Sequence, residues 1–251
     1  MKTWHETKNF WTDFESRLFS PTRIEEAPAE VGFILNITKL KPGAKVLDFP
    51  CGVARHSIVF AKLGFQVTGV DITERYLRHA RTKCRKEKLR VNLVQGDIRK
   101  YKEKRKYDLV VNLFTSFGYF KKINDDKKVL RNIYQSLKPG GHFIIDIMGK
   151  EIISRKFLSN AAFPEEDGSI MVEIREIQDD WSWIKNRWIM FEDGKKKEYT
   201  VEHRLYSATE LKWLLKETGF RVKKCYGDFN VNSPYDTNAR RLIIHAVKKR
   251  K

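Results

Sequence analysis

The stretch Val46–Ser57, VLDFPCGVARHS, constrains this chain more than any other. Val46, Leu47 and Phe49 form an apolar run that meets a tight turn marked by Pro50 and Gly52. A helical pattern follows, with Ile58, Phe60, Ala61 and Leu63 as its apolar positions. Strand, sharp turn and helix make the opening unit of a nucleotide-binding α/β sheet. Such a turn gathers backbone N–H groups and a helix N-terminus at one spot, which suits a polar or anionic ligand. It is not a dinucleotide fingerprint: G-x-G-x-x-G needs three glycines, and the turn has only Gly52. The next acidic signal is Asp71, which closes the run Val67-Thr68-Gly69-Val70 ahead of a helix pattern from Thr73. An acid at the carboxyl end of a second strand can take both hydroxyls of a ribose. Turn and acid together indicate a nucleoside cofactor without choosing which.

Further stretches follow in a telling order. GFQVTGVDITERYLRHAR carries the second strand, its acid and a helix; VNLVQGDIRKY carries a third strand and Asp97. YDLVVNLFTSFGYF, LKPGGHFIIDI and YSATELKWLLKETGF supply a fourth strand, a turn with a fifth strand, and a late helix. With VLDFPCGVARHS, this series resembles the class I S-adenosylmethionine-dependent methyltransferases, over residues 30–150 and 205–248. The first motif departs from the usual pattern, with Pro50 and Ala54 where glycines are common. The resemblance implies an α/β fold: a Rossmann-like seven-stranded sheet, mostly parallel with an antiparallel last strand. It implies S-adenosyl-L-methionine as cofactor and methyl transfer as the activity.

Alternating strand and helix patterns up to residue 149 independently favour a parallel sheet with right-handed crossovers. Helices are expected at 25–40, 55–63, 73–88, 124–137 and 207–218, the last opened by a capping box of Ser207 and Glu210. Strands are expected at 45–49, 66–70, 91–95, 109–113, 143–147, 221–227 and 240–247. Residues 150–205 break the alternation. Ile170–Ile177, Trp183–Phe191 and Lys197–Tyr206 read as strands, with Asp193-Gly194 as a hairpin turn. This small antiparallel insertion after the fifth strand is expected above the carboxyl edge of the sheet, as an acceptor lid or a stability element. Residues 1–24 place Phe10, Trp11, Phe14 and Leu18 on one face of a helix. It either packs on the domain or forms a lid, with Trp11 a cofactor contact. Residues 25–149 and 206–251 form the cofactor domain in this reading.

The remaining site residues follow from the resemblance. Asp48 braces the loop and meets the methionine amine, directly or through water, or else caps the turn. The turn from Phe49 and Pro50 to Cys51 and Gly52 lies along the cofactor, the last two offering backbone. Asp71 binds the ribose hydroxyls or merely caps its helix, and Ile72 packs on adenine. Asp97 accepts from the adenine amino group, with Ile98 beside the ring. Asn112 and Leu113 end the fourth strand under the methyl group. Arg55 or His56 meets the methionine carboxylate or sits at the core edge. Methyl transfer needs alignment more than a catalytic group; Tyr119 and His203 are the candidates that would face the acceptor, with a structural histidine as the alternative for the second.

The acceptor is less legible. Asn112-Leu113-Phe114-Thr115 lacks the Asn-Pro-Pro-Tyr ending of enzymes that methylate base amino groups, and Asn112 stands where ribose 2′-O enzymes carry an Asp. A small-molecule acceptor is the first reading. The formal net charge of +18 keeps an RNA or RNA-associated acceptor as the alternative, or marks a solvated lysine-rich surface. A non-catalytic module that kept the fold is the third reading, and a dinucleotide reductase is opposed by the missing glycines. Cys51, Cys84 and Cys225 give neither a disulfide framework nor a metal-ligand spacing. The chain has no apolar run long enough for a membrane span, and MKTWHETKNF has no signal-peptide core. A cytoplasmic protein without a membrane partner is expected.

Overall fold

The structure is a computed structural model that describes residues 4–165 and 168–250. A 3-10 turn (Trp4–Glu6), α1 (Lys8–Asp13), α2 (Glu15–Leu18) and α3 (Pro21–Thr38) precede β1 (Lys45–Asp48) and α4 (Arg55–Lys62). Then come β2 (Gln66–Asp71), α5 (Glu74–Lys86), β3 (Val91–Gln95), β4 (Tyr107–Asn112), α6 (Ile123–Ser136), β5 (Leu137–Ile147) and α7 (Lys150–Arg155). A second group of strands, β6 (Asn160–Pro164), β7 (Ile170–Gln178), β8 (Trp183–Glu192) and β9 (Lys195–Arg204), is followed by α8 (Ala208–Glu217), β10 (Phe220–Tyr226) and β11 (Leu242–Lys248).

The main sheet has the order β10-β11-β5-β4-β1-β2-β3. Strands β3, β2, β1, β4 and β5 are mutually parallel, and β11 runs antiparallel to both of its neighbours. The expected seven-stranded α/β sheet is therefore present. Central strands alternate between two cores. Leu47, Val110, Phe143 and Ile145 face α6 and α8, while Val46, Leu109, Val111 and Ile144 face α3 and α4. These residues are at most 1% exposed, and burying each contributes roughly 1.5–3 kcal/mol. Strands covered on both faces need this apolar run without polar alternation.

Strands β6 to β9 form a separate antiparallel sheet, β8 and β9 joined at Asp193-Gly194. The inner face presents Met171, Trp188, Met190, Tyr199 and Val201 to Trp4, Phe10, Trp11, Phe14 and Leu18 of the N-terminal segment. On its other side the segment meets α5, where Tyr76 Oη donates to the Trp11 carbonyl at 2.5 Å. It is not the continuous helix expected: Phe14, at φ −109° and ψ 13°, separates α1 from α2. α3 starts at Pro21 rather than 25, because proline at the first helical turn costs no hydrogen bond.

Candidate functional site

The parallel strands bring their carboxyl ends to one edge. Asp48 pairs in register with Gly69 and Val111, and Asp71 pairs with Gln95. Past β1 the chain keeps bonding to both neighbours: Phe49 N–H donates to the Val111 carbonyl and Cys51 N–H to the Val70 carbonyl, each at 2.9 Å. The turn then closes with Gly52 at φ +54° and Ala54 at φ +61°. A Cβ on Gly52 would stand 2.7 Å from Cζ of Phe19, so the N-terminal segment lies directly on the turn.

Asp71 is the hub of this edge. Its two carboxylate oxygens accept from Gly52 N–H and Thr73 N–H, both at 2.8 Å. Burial raises its pKa, and the two amides pull the other way. A carboxylate has about four acceptor positions, so further hydroxyl donors can still be taken. Pro50, Cys51, Gly52, Arg55, Asp71, Ile72, Asp97, Ile98, Leu113, Trp11 and Tyr119 all line one cavity of about 130 Å³ at this edge. Ile72 and Ile98 give it apolar walls. Asp97 is held by a fork from Arg99, at 2.9 and 2.6 Å, and Arg99 also reaches Glu6 at 2.9 Å. Burial alone would raise the Asp97 pKa, but the Arg99 contacts outweigh it and hold the carboxylate below its usual range.

Three other expected residues lie behind the cavity wall. Asp48, 1% exposed, accepts from Ser57 Oγ at 2.7 Å and braces the turn from beneath. Phe49 is core. Asn112 donates through Nδ2 to the carbonyls of Phe49 (2.8 Å) and Ser116 (3.1 Å), tying the first turn to the loop after β4. Arg55 lines the cavity, yet its guanidinium binds Glu30 at 2.6 Å, and His56 meets the same carboxylate at 2.6 Å. Burial pushes the Glu30 pKa up, and His56 and Arg55 more than reverse it. His56 lines the cavity as well, with its Nε2 turned to this cluster.

The loop after β4 separates two spaces. Phe114 and Thr115 adopt left-handed φ of 62° and 56°, a strained conformation that costs of order 1–3 kcal/mol each and gathers at functional sites. Asp146, at the end of β5, holds them: it accepts from Phe114 N–H at 2.8 Å and from the Arg241 guanidinium at 2.6 and 2.7 Å. Gly118 lets β9 dock, since a Cβ there would lie 2.8 Å from the Arg204 carbonyl oxygen. Beyond this loop, under the insertion, is a second chamber of about 330 Å³. Trp11, Leu18, Phe114 and Tyr119 line both spaces.

The two acceptor-facing candidates separate. Tyr119 sits on the shared wall against Trp4, ring centroids 4.9 Å apart, and burial pushes its pKa up to about 12. It is a neutral hydroxyl at pH 7. His203 lines only the chamber. Burial lowers its pKa, and its Nδ1 lies 3.2 Å from the Arg204 carbonyl. A carbonyl only accepts, so Nδ1 carries the proton and Nε2 keeps its lone pair. The chamber residues Arg17, Arg23, Arg241 and Trp188 were not expected from sequence. Each reaches the site through packing between distant segments, which leaves no local pattern. Among the described residues no cluster of metal-ligand side chains occurs, and no helix is long and apolar enough to cross a membrane.

Comparison with known proteins agrees with this fold. A family model described as a methyltransferase domain matches residues 46–141. The YqeM protein of Bacillus subtilis (strain 168), whose methyltransferase name is provisional, is 28% identical over 211 residues, which are 82% of this chain and 85% of that one. The dTDP-3-amino-3,4,6-trideoxy-alpha-D-glucopyranose N,N-dimethyltransferase of Streptomyces venezuelae is 28% identical over 131 residues, 51% of this chain and 54% of its own. The crystal structure of an S-adenosylmethionine-dependent methyltransferase from Clostridium acetobutylicum ATCC 824 superposes with a TM-score of 0.81 at 19% identity, over 96% of this chain and 98% of that one, a likeness of fold.

Proposed function

Because this chain belongs to the class I S-adenosylmethionine-dependent methyltransferases, we propose that it methylates a small-molecule acceptor seated in the chamber beneath the insertion. One observation supports this most: a cavity at the strand tips and a chamber beneath the insertion meet at a common wall of Trp11, Leu18, Phe114 and Tyr119. A donor in the first space then faces an acceptor in the second. The Streptomyces venezuelae relative is named for dimethylating the amino group of a nucleotide-linked sugar, which favours an acceptor of similar chemical class, small and with a lone pair on nitrogen or oxygen.

The residues fit the donor chemically. Asp71 has acceptor capacity left for ribose hydroxyls, Ile72 and Ile98 suit the faces of an adenine, and Gly52 leaves the turn open on the side where Phe19 now rests. When bound, the donor supplies an electrophilic methyl group on a positively charged sulfur. The protein's own part is alignment and exclusion of water. Tyr119 orients through a neutral hydroxyl, and Nε2 of His203 takes the proton that a protonated amine or hydroxyl acceptor must lose.

The space of about 130 Å³ is small beside the roughly 300–1,000 Å³ of typical small-molecule sites. Trp11, Leu18 and Phe19 fill the remainder. We therefore read residues 4–20 as a lid that swings outward to admit the donor and closes through Glu6–Arg99 and Tyr76–Trp11 contacts. The RNA alternative rests on net charge alone. Incubation with methyl-labelled donor, a panel of small amines, alcohols and carboxylates, and total RNA separates the readings. Label on a small molecule is the expected result; label on RNA alone would overturn the proposal.

A further inference from the structure

Four arginines, Arg17, Arg23, Arg55 and Arg241, crowd the wall around Phe114, whose ring lies 4.5 Å from the Arg23 guanidinium and 5.3 Å from those of Arg55 and Arg241. Three of them are committed. Arg17 binds Glu165 and, at 3.1 Å, Glu173; Arg55 binds Glu30; Arg241 binds Asp146. Among the described residues Arg23 forms no ion pair. Only its Nη1 is engaged, donating to the carbonyls of Arg17 (2.9 Å) and Leu18 (3.1 Å), so Nε and Nη2 keep their donors. Burial and the neighbouring Arg17, Arg55 and Arg241 charges lower its pKa, the mark of a locally positive field. A second observation is independent of it: Trp188 lines the same chamber, and its Nε1 is buried without a partner among the described residues. A buried donor left unpaired carries a desolvation penalty that a ligand oxygen removes.

We propose that Arg23 is the anion-recognition residue of the chamber, and that the acceptor carries an anionic oxygen group, a carboxylate or phosphate, on an apolar body. This rests on the donor and acceptor spaces assigned above. The planar guanidinium offers a paired-donor edge that matches such groups, while Phe114, Trp4 and Trp188 supply the apolar wall. The donor's own carboxylate is the rival occupant. Arg23 lines the chamber and not the cavity at the strand tips, whereas Arg55 lines the latter, so Arg23 belongs to the acceptor side.

Calorimetry on the protein saturated with S-adenosylhomocysteine tests it, with benzoate and neutral benzamide as probes of matched shape. Benzoate is expected to bind roughly tenfold tighter than benzamide, as befits a hydrogen-bonded charge pair. Arg23→Gln should abolish that preference, Arg23→Lys should keep part of it, and affinity for S-adenosylhomocysteine should stay within about twofold. Should Arg23→Gln fail to fold, Arg23→Lys together with Trp188→Phe decides, both weakening benzoate alone. Equal binding of the two probes by the parent protein would overturn the proposal. So would an Arg23→Lys variant that loses S-adenosylhomocysteine affinity while keeping the benzoate preference, which assigns the cation to the donor. Failure of S-adenosylhomocysteine to bind the parent would instead refute the donor assignment beneath it.

Discussion

Replacing Asp71 by alanine should separate donor binding from folding. In the folded protein its carboxylate already accepts from Gly52 and Thr73 N–H at 2.8 Å each. Two ribose hydroxyls would add two hydrogen bonds to a charged acceptor, each contributing roughly 1.5–3 kcal/mol. Some of that is spent on ordering the ligand, which leaves a loss of about 3 kcal/mol on truncation, or on the order of a hundredfold in Kd. The apoprotein also suffers, because two backbone donors lose their acceptor at about 1–3 kcal/mol apiece. Relief of a buried carboxylate whose pKa burial has raised offsets part of this. Calorimetric titration with S-adenosylhomocysteine reads the first effect and thermal melting without ligand reads the second. A folded Asp71→Ala variant that binds within about threefold of the parent would refute the reasoning.

Other perturbations have definite expected outcomes. Glu30→Gln leaves buried Arg55 and His56 without their shared carboxylate; a cost of about 3–5 kcal/mol should lower Tm by on the order of 10 °C, and an unchanged Tm would contradict the pairing. Asp126 is fully buried, accepts from Tyr206 Oη at 2.7 Å, and is pushed up to about 7 by burial. Its folded pKa lies above the unfolded one, so its contribution is complete below about pH 4 and is lost as pH rises through about 7. Parent stability should therefore fall between these limits by up to about 1.4 kcal/mol per pH unit relative to Asp126→Asn, and parallel stability curves would refute it. His203→Gln should cut turnover by roughly 10²–10⁴ at unchanged donor affinity. The lowered pKa of His203 puts the acid limb of the parent's rate profile below the ordinary histidine range, and a limb at or above that range would count against its role as proton acceptor.

What the sequence disclosed follows the range of the interactions involved. β3 spans Val91–Gln95 as its apolar run implies, and the Ser207–Glu210 box and the Asp193-Gly194 turn are present, because each depends on neighbours a few residues away. Asp71 was readable as a strand-end acid for the same reason. The break at Phe14 was not, since packing of the N-terminal segment on the insertion decides it; nor were the short strand β6, set by pairing with β7, and helix α7, set by contacts with the start of α8. Asp48 shows the limit within a motif: sequence marks an acid at the turn, but only the fold turns it inward to Ser57 and away from the cavity. Arg23 stands in the first turn of α3 with no neighbour to mark it. Its significance comes from Phe114, Arg55 and Arg241, which reach it from three other segments.

A crystal structure with S-adenosylhomocysteine bound would show whether Asp71 holds the donor's ribose. Ribose hydroxyls are expected within hydrogen-bond distance of the Asp71 carboxylate, the adenine between Ile72 and Ile98, residues 4–20 displaced from Gly52, and sulfur directed past Tyr119 into the space beneath the insertion. A ribose held away from Asp71, or a sulfur facing bulk solvent on the opposite side of the sheet, would contradict that placement.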